Sequence, residues 1–167
     1  MITSRANTDY RIVVDIKAPP GRVFAVLRAV ERWPEWTSTM TSVQRTDNRP
    51  FVVGSRVRVR QPKLLPAIWQ VTELDEPRKF TWVTRSPGVA VTGEHLVEAD
   101  GTGSRVKLSL NFSGFLGPLV SRFYCSLSGI LLSRRKGSAS AAKAESLALL
   151  YLSLRRRIAT VSEAAIA

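Results

Sequence analysis

The chain is poor in the groups that polar chemistry draws on. It holds one cysteine, Cys125, and one histidine, His95. A lone cysteine closes no internal disulfide and fits a reducing compartment. Zinc sites take about four ligands, chiefly Cys and His, so one of each falls short, and neither metal nor cofactor is expected. No glycine-rich phosphate loop precedes a helical pattern, which argues against a nucleotide fold. No run of about 18 apolar residues occurs, so no transmembrane helix is expected. The polar stretch from Met1 to Tyr10 lacks the apolar core of a secretory signal, and a cytoplasmic location is expected. Acidic residues are scarce as well: 13 Asp and Glu stand against 25 Lys and Arg, a net charge of +12. Such a balance attracts polyanions, whether nucleic acid, anionic membrane or acidic ligands, and it also serves plain solubility.

What is present reads as one folded domain. The length of 167 residues suits a single core, and 44% hydrophobic with 23% charged residues is a globular composition. Tyr10 to Ile16 alternates, with Ile12, Val14 and Ile16 on one face, which predicts a half-buried strand. Pro19-Pro20-Gly21 stops it, and Pro20 suits the first turn of a helix. Val23, Phe24, Leu27 and Val30 follow at helical spacing. Pro34 is expected to break this helix and open a short second one.

From Met40 to Phe112 the period changes to two. Val57, Val59 and Gln61 share a side opposite Arg56, Arg58 and Arg60. Trp69 and Val71, then Phe80 and Trp82, then Val91, Gly93, His95 and Val97, then Val106, Leu108, Leu110 and Phe112 mark further inward faces. Short turns separate these runs: Pro62 to Pro66, Glu76-Pro77, Pro87-Gly88 and Asp100-Gly101-Thr102-Gly103. Closely spaced strands of this kind predict an antiparallel meander. After Gly117-Pro118, a stripe of Leu116, Leu119, Val120, Phe123, Leu127, Ile130 and Leu131 predicts a helix from about Leu116 to Lys136. It would span about 30 Å, enough to cross the sheet. Gly137-Ser138 breaks the pattern, and a second helical, Arg-rich segment follows.

Five strings occur in order: Val14-Asp15-Ile16-Lys17-Ala18-Pro19-Pro20-Gly21-Arg22-Val23-Phe24, Val30-Glu31-Arg32-Trp33-Pro34-Glu35-Trp36, Val53-Gly54-Ser55-Arg56-Val57, Phe80-Thr81-Trp82 and Gly103-Ser104-Arg105-Val106. Together they resemble the polyketide cyclase/dehydrase family of the START-like (SRPBCC) superfamily, over about Tyr10 to Leu131. The resemblance implies an α+β helix-grip fold: a curved antiparallel sheet of about seven strands wrapped around a long C-terminal helix. It also implies an internal site for a lipid-like or polyketide-like ligand. Members usually end in one continuous helix. Here residues 134–140 interrupt it, which divides the chain into a helix-grip domain, 1–136, and an atypical extension, 137–167, expected to be helical.

The candidate ligand-binding residues are those facing the expected cavity: Trp36, Val57, Val59, Gln61, Trp69, Trp82, His95, Leu108, Leu110, Phe123, Tyr124 and Leu127. Each tryptophan offers about 150–250 Å² of contact, or equally serves the core. His95 is the best catalytic candidate. A neutral imidazole both donates and accepts, so it would orient a ligand, shuttle a proton, or rest satisfied in the core. Cys125 falls within an apolar stripe and reads as packing. Gln61 interrupts an apolar face and needs a partner or a place near the mouth.

Three functions follow as expectations. The first is binding of a small hydrophobic molecule. The second is a cyclase or dehydratase acting on a polyketide-like chain, for which His95 and Tyr124 are the available proton shuttles. The third is peripheral contact with an anionic membrane, for which Leu147 to Leu154 followed by Arg155-Arg156-Arg157 suits an interfacial helix. Specific nucleic-acid binding is not expected, since no aromatics interleave the arginine stripe. The sequence assigns no oligomeric state.

Overall fold

The computed structural model describes residues 8–122. Nearly every period-two run becomes a strand. In chain order these are β1 (Thr8–Ile16), β2 (Ser42–Arg45), β3 (Arg56–Arg60), β4 (Ala67–Asp75), β5 (Lys79–Ser86), β6 (Val89–Asp100) and β7 (Gly103–Ser113). They form one seven-stranded sheet in the order β1-β7-β6-β5-β4-β3-β2, with every neighbouring pair antiparallel. The meander therefore runs unbroken from β2 to β7, and β1 closes against β7. A register shift between Val71 and Glu73 adds bend to β4. The molecule is α+β with a curved antiparallel sheet: the alternation predicts the meander, and the family resemblance implies the α+β class and the curvature.

Between β1 and β2 lie helix α1 (Pro20–Arg28) and a 3₁₀ segment (Val30–Glu35). Pro20 stands in the first turn, where a missing N–H costs nothing. The helix buries Val23, Phe24 and Leu27 and packs on β6 and β7. Burial of each such side chain contributes roughly 1.5–3 kcal/mol. The expected break at Pro34 is displaced: α1 stops at Arg28, and Pro34 sits inside the 3₁₀ segment. The tighter winding turns Trp33 inward, where its Nε1–H donates to the carbonyl of Leu27 at 3.0 Å.

A further helix begins at residue 117. The rest of the expected 116–136 helix, and the division between 1–136 and 137–167, lie outside the described residues. No helix among the described residues is long and apolar enough to cross a membrane.

One contact sets the tightness of the sheet's centre. Trp82 faces Gly93 across β5 and β6. A Cβ built on Gly93 would lie 2.5 Å from Nε1 of Trp82, so the indole occupies the space the glycine leaves. Gly93→Ala is expected to cost about 1–3 kcal/mol through overpacking, read as a lowered urea midpoint. Gly21→Ala, where a Cβ meets nothing within 4 Å, should not destabilise. Equal midpoints for the two variants would contradict this packing.

Candidate functional site: an apolar pocket at one end of the sheet

The concave face divides into successive rows across the strands. The first row runs Trp69 on β4, Thr84 on β5, Val91 on β6 and Phe112 on β7. The second runs Val71, Trp82, Gly93 and Leu110. The third carries Phe80, His95 and Leu108.

The third row is closed. Phe80 and Leu108 are buried, and His95 is 6% exposed. The His95 ring stacks on Phe80 at 4.2 Å and 9°, and Trp33 covers it at 5.4 Å. Trp33 also meets Trp82 at 5.2 Å and Trp36 at 6.2 Å. Phe24 and Phe51 complete the cluster against Phe80. Aromatic edges on faces at these spacings add to the stabilisation that burial gives.

The first row is open. Trp69, Thr84, Val91 and Phe112, with Leu110 from the second row, line a pocket of about 340 Å³. Gln61, Lys63, Leu64, Leu65, Ala67 and Val120 complete its lining. The amide of Gln61 also reaches the Thr39 carbonyl at 3.5 Å. Trp82 separates the two regions, touching Trp69 at 5.1 Å on the pocket side and Trp33 at 5.2 Å on the closed side.

The candidate residues thus fall into three groups. Gln61, Trp69 and Leu110 line the pocket. Val57, Val59, Trp82, His95 and Leu108 are buried away from its lining, and Trp36 is half-buried beside Trp33. Phe123, Tyr124 and Leu127 lie outside the described residues, as does Cys125. His95 shares its face with Val91 but sits four residues along β6, about 13 Å at the usual strand rise. The pocket also takes residues the sequence reading passed over, above all Lys63, Leu64 and Leu65. Their signal was present: two leucines between prolines in a connecting turn have no place in a plain solvated loop.

The His95 surroundings are dry. Burial pushes its pKa down to about 3, only partly opposed by a hydrogen bond with the backbone of Phe80. Its Nδ1 has no hydrogen-bond partner among the described residues. The imidazole is therefore neutral across the physiological range, as the desolvation of a charge requires.

A family model for polyketide cyclase / dehydrase and lipid transport matches residues 7–130. Among solved structures, a START superfamily protein from Mycobacterium smegmatis superposes with a TM-score of 0.66 at 12% identity, covering 92% of this chain and 98% of its own. A protein from Thermus thermophilus gives a TM-score of 0.66 at 17% identity over 93% and 99% of the two chains. Major latex-like protein 151 from Panax ginseng gives 0.62 at 13% identity over 90% and 97%. At such identities the structural likeness speaks for the fold alone. A search of curated proteins finds no match.

The buried imidazole makes stability depend on pH. Its folded pKa lies below the unfolded value of 6.5, so only the unfolded chain gains a proton between the two. Stability from this group is complete above 6.5 and falls as the pH drops towards 3, by ~1.4 kcal/mol per unit. Between about pH 6.5 and pH 5 the parent should lose about 2 kcal/mol more than His95→Phe, measured by urea unfolding. Identical pH dependence in both would refute the dry placement of His95.

Proposed function

Because the chain belongs to the polyketide cyclase / dehydrase and lipid transport family, we propose that it binds a small apolar molecule, lipid-like or polyketide-like, in the pocket beside the 61–66 turn. The observation that carries this reading is the lining itself: Trp69, Val91, Leu110, Phe112 and Val120 around about 340 Å³ of space. Ligand sites occupy roughly 300–1,000 Å³ and combine apolar walls with a few polar groups. The amide of Gln61 and the hydroxyl of Thr84 supply those groups, and Lys63 adds a cation suited to an acidic end on the ligand.

Binding is favoured over acid–base chemistry by what lines the space. Lys63 alone among the described lining residues is ionisable. His95, the best proton shuttle by sequence, is buried behind Trp82 and held neutral. A general base must come within hydrogen-bond reach of the proton it takes, directly or through one water, and His95 is not among the lining residues.

Trp69 is the natural reporter. Titration with a panel of fatty acids and polyphenols should quench its fluorescence, and native mass spectrometry of the purified protein should show a retained small molecule. Filling the space with Val91→Phe or Ala67→Phe is expected to weaken binding by about tenfold or more, equivalent to ~1.4 kcal/mol, with the unfolding midpoint little changed. Absence of quenching across the whole panel would sink the proposal.

A further inference from the structure

The sheet divides its charge as it divides its core. Antiparallel pairing brings the ends of β3, β5 and β7 and the starts of β2, β4 and β6 to one end of the sheet. This is the end where the pocket opens. No Asp or Glu occurs in residues 58–69, 83–93 or 108–122. Arg58, Arg60, Lys63, Arg85 and Arg122 are exposed in those stretches. None of them takes part in an ion pair among the described residues. On β1 the register adds one acidic position here, Asp9 opposite Asn111. The far end differs in holding acids as well: Arg105 is held by Asp15 and Asp100, and Lys107 by Glu98, although Lys17, Arg49 and Arg56 are exposed there without an ion pair among the described residues.

The pocket end also exposes large apolar side chains. Leu65 is 90% exposed, Phe115 84% and Leu119 65%. Their positions are built into the fold. Phe115 rests against Gly88, where an added Cβ would lie 2.6 Å from the ring. The N–H of Leu116 donates to the carbonyl of Gly88 at 2.9 Å, which holds the segment against the β5–β6 turn. Leu65 and Val120 both line the pocket, so both exposed segments border it.

We propose that the pocket mouth is a docking surface for an anionic lipid bilayer. Leu65, Phe115 and Leu119 enter the boundary between headgroups and acyl chains, while the surrounding Arg and Lys side chains hold the anionic headgroups. An aqueous polyanion such as nucleic acid would match the cations but leave three apolar side chains in water. A bilayer with anionic lipids satisfies both. In this pose the pocket faces the acyl phase, and an apolar ligand passes between pocket and bilayer without crossing water. That last step rests on the binding reading above; the docking does not.

Co-sedimentation of the full chain with phosphatidylcholine vesicles, with and without phosphatidylglycerol, tests the docking. Binding is expected only to the vesicles containing phosphatidylglycerol and should weaken as salt screens the charges. Leu65→Asp and Phe115→Asp should each reduce it by about tenfold or more, and Lys63→Glu by about fivefold or more. Arg49→Glu makes the same charge change at the far end, and should leave binding within about twofold of the parent. The proposal is overturned by no binding to either vesicle, by equal losses from Lys63→Glu and Arg49→Glu, or by binding that survives the mouth variants and vanishes when Arg155, Arg156 and Arg157 are changed to Glu. Trp69 quenching in vesicle-free solution, repeated on Phe115→Asp, reads the pocket separately, so loss of docking and loss of ligand binding are told apart.

Discussion

The indole of Trp33 is the contact on which the arrangement depends. Its N–H is bonded to the carbonyl of Leu27, so the ring enters the core without an unpaired donor. It then covers His95 and meets Trp82 edge-on. A curved sheet of seven strands presents more concave face than a nine-residue helix and a six-residue 3₁₀ segment can cover. Trp33 closes the half those elements reach. The other half is left to the turn after β3 and the helix that begins at residue 117, and there the pocket remains.

This division explains why the single histidine lies where proton chemistry is suppressed. A charged imidazole surrounded by Phe80, Trp82 and Trp33 would lose its hydration with little to replace it. The same dryness makes the cluster a rigid floor. Trp82 is fixed between Gly93, Trp33 and Trp69, so the pocket wall that Trp69 supplies is braced by the closed core. The pocket wall and the closed core thus share one aromatic chain.

Charge follows the same axis. At the far end, carboxylates neutralise some of the basic side chains, in pairs such as Asp15–Arg105 and Glu98–Lys107. At the pocket end the cations stand unopposed beside exposed leucine and phenylalanine. The net charge of +12 is therefore not an even coat. Cations without an ion pair occur at both ends, but only the pocket end combines them with stretches free of Asp and Glu, which gives the excess a direction that composition alone lacks.

Strand faces and turns could be read from the sequence because a strand's side chains alternate whatever covers them. Val57 and Val59 inward and Arg56, Arg58 and Arg60 outward follow from that rule, and the turn at Gly101-Thr102 follows from its glycine-rich turn chemistry. Parity gives the face but not the depth along it. His95 and Val91 belong to one face, yet one is sealed beneath Trp33 and the other lines open space. Which happens depends on how far α1 and the 3₁₀ segment reach across the sheet, a property of packing between segments distant in the chain. Likewise Lys63, Leu64 and Leu65 carry no period, and only the folded turn brings them into one lining with Val120. The alternation of apolar and polar residues determined the sheet, because burial of one face is a local requirement; the tertiary structure alone decided which part of that face lines a pocket among the described residues, because the cover comes from elsewhere in the chain.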